Sequence, residues 1–189
     1  MAADDVTTVI LAGGRATRLP GKLELNVGGE PLLARVYHQL RDAAPVVIAV
    51  AGGFSPELDA ALDCPLIVDR WPGRGPLAGL LSACTELASP WIFAVAGDAP
   101  NVTPQVLQTL LEARGEEDEA VVSEHDGRLE PLASLYRREA LEREGHGVLH
   151  DCNASMHALI ERLQVRRVQI PTDHFLNINT AADLDAAQG

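Results

Sequence analysis

The sequence predicts an α/β protein built on a mostly parallel sheet, with helices crossing over its two faces. Two observations carry that prediction. Short apolar runs rich in β-branched residues alternate with segments whose apolar residues recur at helical spacing, the rhythm of successive strand–helix–strand units. The 189 residues are 47% hydrophobic and 22% charged, which is enough apolar surface for a sizeable core and too little charge for a disordered chain. The length suits one domain over 1–189, and no repeat, low-complexity tract or linker interrupts it.

Each element has a local reason. VTTVILA (6–12) reads as the first strand, ended by Gly13 and Gly14. Over 31–43, Leu32, Leu33, Val36 and Leu40 fall on one helical face, and Pro31 suits a first turn. PVVIAV (45–50) is a strand; Ser55 caps a short helix that has Pro56 in its first turn and runs to Ala61. PLIV (65–68) is a third strand and 77–88 a helix. WIFAVA (91–96) is the most hydrophobic strand and belongs at the centre, because both its faces are apolar. Thr103 caps a helix that reaches Arg114, and the acidic stretch EEDE (116–119) is expected to be a solvated loop. AVVSE (120–124) and LASLY (132–136) are strands flanking an HDGR turn. A helix near 153–163, a strand VRRVQI (165–170) and a helix over 180–187 close the chain.

Charge narrows the function. A formal net charge of −12 repels nucleic-acid backbones and anionic membranes, so neither is an expected partner. An anionic small molecule could still bind where a few cations converge. The three cysteines (Cys64, Cys84, Cys152) form no CxxC pair and read as thiols of a reducing compartment. Asp4 and Asp5 stand where a signal peptide needs positive charge, and no apolar stretch approaches the roughly 20 residues of a membrane span, so the cytoplasm is the expected location. His146 and His150 lie four apart near Cys152 and His157, but Gly145 and Gly147 argue against the helix that a zinc site would need there.

The local cluster of cations follows the first strand. In LAGGRATRLPGK (11–22), the glycines let backbone amides approach phosphates, and Arg15, Arg18 and Lys22 bring together three of the chain's fifteen basic side chains. The stretch is not a P-loop, since Ala16 and Leu23 stand where Gly and Ser or Thr belong, and it lacks the GxGxxG of a dinucleotide site. GPLAG (75–79) opens a helix with exposed amides, and Asp69 follows the third strand. AGDAP (96–100) delivers Asp98 at the end of the central strand, where Gly97 leaves room for a metal-bound phosphate. In NINT (177–180), Asn177 and Asn179 point the same way if the segment is extended, although Asn179 or Thr180 would equally serve as an N-cap.

Taken in order, these segments resemble the GT-A-like nucleotidyltransferases, and of these the molybdenum cofactor guanylyltransferase (MobA-like) group. The resemblance implies a Rossmann-like, three-layer α/β/α domain of the nucleotide-diphospho-sugar transferase kind. It also implies that Leu11, Ala12, Gly13, Gly14 and Arg15 touch the nucleotide, while Arg18 and Lys22 meet its phosphates. On the same resemblance, Asp69 reads the guanine edge, Gly75, Pro76 and Leu77 lie near the base, Asp98 and Asn179 hold Mg²⁺, and Glu130, Pro131 and Asn177 line the acceptor side. Two departures stand out: no Asp precedes Lys22, and Val50-Ala51-Gly52-Gly53 replaces an Asn after the second strand.

The activity so implied is transfer of GMP from Mg-GTP to a molybdopterin-type acceptor, with release of pyrophosphate. A cytidylyltransferase or sugar-phosphate nucleotidylyltransferase is the alternative within the class, and a non-catalytic nucleotide-binding module the alternative outside it. The implied partners are GTP, the acceptor and a transient cofactor-delivery protein, with the chain a monomer or small homo-oligomer.

Overall fold

A computed structural model describes residues 5–13, 21–151 and 154–175. In chain order the elements are β1 (Val6–Leu11), a small hairpin of β2 (Asn26–Val27) and β3 (Glu30–Pro31), α1 (Leu32–Leu40), β4 (Val46–Val50), α2 (Pro56–Ala61), β5 (Leu66–Val68), α3 (Pro76–Cys84), β6 (Trp91–Ala96), α4 (Pro104–Ala113), β7 (Ala120–His125), β8 (Arg128–Arg137), α5 (Arg138–His150), α6 (Met156–Ile160) and β9 (Val165–Gln169). Two 3₁₀ turns, Lys22–Glu24 and Thr172–Phe175, complete them. The expected final helix over 180–187 lies outside the described residues.

Seven strands form one sheet in the order β5-β4-β1-β6-β8-β7-β9. Every neighbouring pair is parallel except the two that β8 makes, with β6 and with β7. Side-chain alternation sorts the core into two layers. Ile10, Phe93 and Val95 join Leu33, Leu40 and Leu107 on one face, under α1 and α4. Val9, Leu11, Ile92 and Ala94 join Leu77, Leu81, Leu141 and Leu159 on the other, under α3, α5 and α6. The central strand over 91–96 matches the sequence expectation to the residue, and both its faces are buried because helices cover both.

Local chemistry explains several junctions. Ser55 caps α2, its hydroxyl accepting from Leu58 N at 3.4 Å. Asp126 (φ 46°) and Gly127 (φ 74°) make the two-residue turn between β7 and β8, whose twist matches that of the paired strands. Thr103 occupies the N-cap of α4 but makes no capping bond; its hydroxyl lies 3.5 Å from His174 Nδ1.

Three expectations are corrected. First, residues 138–150 form helix α5 despite Gly145 and Gly147. A Cβ on Gly145 would stand 2.7 Å from Leu81 Cδ2 and 3.3 Å from its Cγ, so the glycine is what lets α5 lie close on α3. Second, the acidic stretch is more than a solvated loop. Asp118 is buried and accepts from Gly115 N (2.7 Å) and Arg166 Nε (2.6 Å), while Glu119 accepts from Arg143 (2.7 Å) and Gln164 N (3.0 Å), tying β7 to β9 and α5. Third, β8 is twice the expected length, because Pro131 sits in a bulge rather than ending the strand.

Two outcomes follow from this packing. Gly145→Ala should lower the unfolding midpoint in urea, because forcing a methyl against buried Leu81 costs about 1–3 kcal/mol while better helix propensity returns at most about 1 kcal/mol. Gly147→Ala meets only the flexible end of Arg162 at 3.2 Å and should hold or raise the midpoint. The second concerns acid. Burial acts to raise the pKa of Asp118, but hydrogen bonds from Arg166 and Gly115 and the charges of Arg166 and Arg137 outweigh it, leaving the pKa below its ordinary value. A depressed carboxylate stabilises the fold above its unfolded pKa, about 3.9, and that contribution disappears as pH falls through the folded value. Urea midpoints measured from pH 6 downward should therefore fall steeply below about pH 4 in the wild type. They should fall less in Asp118→Asn.

Candidate functional site

The carboxyl ends of β1, β4, β5 and β6 emerge along one edge of the sheet. Ala12 N bonds Ala49 O at 2.8 Å and Gly97 N bonds Leu11 O at 3.1 Å, so the chain leaving β1 is anchored on both sides. Gly13 then passes close over its neighbours: a Cβ there would lie 3.4 Å from Ala51 Cβ and 3.9 Å from Asp69 Oδ2. Gly97 has still less room, since a Cβ would stand 3.1 Å from Leu33 Cδ1 and 3.2 Å from Leu11 O. The glycine-rich segments expected from the sequence are thus places where backbones approach each other.

Asp69 extends the ladder, its N–H bonding Val50 O at 2.8 Å, and its side chain is buried. Oδ1 accepts from Trp71 N at 2.8 Å and from Ser82 Oγ at 3.4 Å, whereas Oδ2 is the oxygen beside Gly13. Ser82 is held in turn, donating to Ala78 O (2.9 Å) and accepting from Arg70 N (2.9 Å). The carboxylate is therefore both a turn-forming acid and an acceptor facing the loop after β1. Gly75, at φ 86°, turns the chain into α3, with Pro76 in its first turn. Leu77 is fully buried in the core, so its side chain supports this turn instead of reaching the site expected for it.

Lys22 and Asp98 are 76 residues apart in sequence, and the fold pairs them: Lys22 Nζ donates to Asp98 Oδ2. Both side chains are largely shielded, at 16% and 19% exposure, so their attraction is screened less than at an open surface. Asp98 supplies a hard oxygen ligand already matched with a cation. Among the described residues no group of three or more His, Cys, Asp or Glu could cage a metal. An ion held there would need phosphate and water oxygens for its other ligands, and that is how Mg²⁺ is ordinarily bound.

Asp98 also lines a cavity of about 450 Å³, together with Pro76, Glu130, Pro131, Met156 and Phe175. Glu130 and Pro131 reach it through the bulge in β8. Ser123 pairs with Glu130 and Val121 with Leu135, so residues 131–134 stand opposite Val122 alone. The bulge is held by Ser134 Oγ donating to Glu130 O (2.7 Å) and Tyr136 OH donating to Pro131 O (2.9 Å). On the other side the ladder to β6 is regular from Arg137 to Ala133, where it ends at Val95.

The fold therefore gathers Leu11, Ala12, Gly13, Lys22, Asp69, Gly75, Pro76 and Asp98 along the strand ends, and Glu130 and Pro131 at the adjoining cavity. Gly14, Arg15, Arg18, Asn177 and Asn179 lie outside the described residues. Sequence reasoning missed Val102, Met156 and Phe175, which also line the cavity and carry no motif. His146 and His150 do share a helix, but His146 lies edge-on to Trp71 at 5.5 Å, and neither joins a metal-binding cluster among the described residues. Burial pushes the thiol pKa values of Cys64 and Cys84 up to about 11 and 12, which keeps both protonated and inert at neutral pH. No helix among the described residues is long and apolar enough to cross a membrane.

Comparison with known proteins agrees with this geometry. Residues 8–167 match the MobA-like NTP transferase domain. A Mycobacterium avium (strain 104) protein named "Probable molybdenum cofactor guanylyltransferase" is 34% identical over 191 residues, an alignment that covers 94% of this chain and 92% of the relative. A Bacillus cereus (strain G9842) protein of the same name is 28% identical over 189 residues, covering 95% and 94%. The crystal structure of molybdopterin-guanine dinucleotide biosynthesis protein A from Archaeoglobus fulgidus matches with a TM-score of 0.81 at 25% identity, covering 96% of each chain. With the strand order, the close approach at Gly13 and the Lys22–Asp98 pair in place, the chain belongs to the MobA-like NTP transferase family and is a nucleotidyltransferase.

Proposed function

We propose that this enzyme transfers GMP from GTP, bound with Mg²⁺, to a molybdopterin-type acceptor and releases pyrophosphate. The observation that carries this reading is the Lys22–Asp98 pair, with Lys22 following the glycine-rich turn and Asp98 on the wall of the adjoining cavity. One side chain serves the triphosphate and the other faces the space where an acceptor would enter.

An acceptor phosphate oxygen attacks the α-phosphorus; the new P–O bond forms as the bond to the bridging oxygen breaks, and pyrophosphate leaves with that electron pair. No protein nucleophile is required, because positioning and charge neutralisation supply the acceleration. Lys22, with Arg18 of the same loop, stabilises the charge growing on the leaving pyrophosphate. Asp98 would hold Mg²⁺, with Asn179 as a second ligand, and the bound ion supplies charge neutralisation at the phosphate oxygens. Asp69 turns Oδ2 toward Gly13, where it can accept from N1–H or N2–H of guanine. Cytosine offers a single donor group on its edge and adenine lacks the N2 amine, so the reading favours GTP. A cofactor-delivery protein is the transient partner it implies.

Pyrophosphate release from Mg-GTP with the acceptor present tests the chemistry. Asp98→Ala should retain its fold and lose roughly a hundredfold or more in rate. Lys22→Ala should lose roughly tenfold to a few hundredfold, the range expected when a shielded cation no longer stabilises the transition state. Full activity in a folded Asp98→Ala protein would defeat the assignment of the site.

Base choice is tested by calorimetry with GTP, CTP and ATP in the presence of Mg²⁺. GTP should bind most tightly, and Asp69→Ala should weaken GTP selectively. With Oδ1 engaged by Trp71 N, one carboxylate oxygen reads the base, so a preference of roughly tenfold is expected, in line with a single charged hydrogen bond. Equal affinities for GTP and CTP that Asp69→Ala leaves unchanged would remove the guanylyl assignment.

A further inference from the structure

Glu130 does not face the cavity unsupported. Its Oε1 lies 2.7 Å from Nε2 of His125, and since an ionised carboxylate only accepts, the imidazole donates from Nε2. The His125 side chain is 12% exposed against 32% for Glu130, so the imidazole is the inner member of the pair. Its Nδ1 is buried without a hydrogen bond, and the Asp126 carboxylate is 3.8 Å away. The ring also stacks on Phe175, centroids 4.7 Å apart and planes 21° from parallel. Glu130 and Phe175 both line the cavity, and one histidine therefore holds two parts of its wall.

The strands and turns that bring these residues together are tied at several points. The tight turn at Asp126 and Gly127 ends the hairpin at a fixed place, and Thr172 Oγ1 donates to Asp126 Oδ2 at 3.2 Å. Asn101 Nδ2 donates to Asp173 O at 3.2 Å, and His174 Nδ1 lies 3.1 Å from Asn101 O, which anchors the turn carrying Phe175 to the segment before α4. His125 is thus clamped between a hairpin and a turn that meet nowhere near each other in sequence.

The chemistry of the wall selects a class of ligand. Among the described residues the lining apart from Asp98, Glu130, Ser155 and His157 is apolar, including Val102, Leu132, Met156 and Phe175. A hydroxyl-rich sugar would bury several polar groups there without partners, each at a cost. A flat heterocycle covers apolar walls with its faces and confines its polar groups to its edge, where a few placed side chains can meet them. With Oε1 held by His125, the Glu130 carboxylate is already oriented and keeps its other oxygen for such an edge, so less freedom is lost on binding.

We propose that His125 is a positioning residue for acceptor recognition, holding the Glu130 carboxylate and the Phe175 ring as one wall for a flat heterocycle with N–H donors, such as a pterin. The proposal rests on reading the cavity as the acceptor side. A titration with 6-hydroxymethylpterin, followed by its own fluorescence, needs neither nucleotide nor turnover and so stands apart from guanylyl transfer. The wild type should bind saturably, and His125→Leu and Glu130→Gln should each weaken binding roughly tenfold or more, as expected when a charge-assisted hydrogen bond is removed. His125→Gln, whose amide can donate from the place of Nε2, should recover most of the affinity. The double variant His125→Leu/Glu130→Gln should lose clearly less than the two single losses combined, because the histidine acts in part through the carboxylate. In turnover, the KM for the acceptor should rise in His125→Leu while the affinity for GTP holds.

Absence of saturable pterin binding to the wild type overturns the proposal, as does wild-type affinity in a folded His125→Leu protein. Losses that add in the double variant also overturn it. Should His125→Leu fail to fold, Glu130→Gln and Phe175→Leu decide: loss of affinity in both supports the proposal and wild-type affinity in either overturns it. Pterin binding as expected without pyrophosphate release would defeat the guanylyl-transfer reading alone.

Discussion

β1 runs between β4 and β6, parallel to both, with Leu11 level with Ala49 on one side and Ala96 on the other. Parallel pairing in register means that all three strands end together, and whatever follows each of them emerges along the same edge of the sheet. β5 joins through Val50 and Val68, which brings Asp69 to that edge as well. A slip of one residue would send Val9 and Leu11 to the wrong layer and Ile10 to the other, so the burial of both faces locks the register. The placement of Gly13, of Asp69 and of Asp98 rests on this alignment. The close approaches at Gly97 show how tightly the strand ends meet.

The charge distribution follows a local logic. A chain with a net charge of −12 must still admit a polyanion, which a uniform acidic surface would repel. Some of its acids are instead tied up in specific pairs. Asp118 and Glu119 are engaged by Arg166 and Arg143 and stitch the far strands together, away from the sheet edge where Asp69 and Asp98 emerge. At that edge the carboxylate of Asp98 is matched by the ammonium of Lys22. In the reaction proposed above, such a pair would exchange partners as phosphates and a divalent cation bind, since each member would find a new opposite charge.

Regular and irregular structure divide the labour. The parallel strands and their crossover helices supply a rigid edge, and rigidity is what a group-transfer site needs to hold reactants in line. The cavity beside it is shaped by exceptions: the bulge that aims Glu130 and Pro131, the tight turn after His125, and the 3₁₀ turn that carries Phe175. Bulges commonly re-aim side chains next to sites of this kind. The antiparallel strand β8 makes the exception possible, because its bulge opens toward β7 while its ladder to β6 stays regular.

What the sequence determined by itself was local in origin. The strand over 91–96, the Ser55 cap and the turn at Asp126 and Gly127 follow from side-chain period, capping oxygens and tolerance of positive φ, all of which act within a few residues. The position of Asp98 followed from the end of the central strand and Gly97 beside it, all of them local signals. Tertiary structure decided the rest. Helix α5 forms through Gly145 and Gly147 because the propensity cost, about 1 kcal/mol per glycine, is smaller than the gain from burying Leu141, Val148 and Leu149 against α3 and the sheet. Asp118 and Glu119 became structural acids because Arg166 and Arg143 come to them from distant segments. His125 could not be recognised from the chain, since its contact with Glu130, which pairs with Ser123, runs diagonally across the hairpin and Phe175 arrives from fifty residues away. Local period and turn chemistry are written in neighbouring residues, whereas a contact between distant segments exists only once the sheet has brought them together.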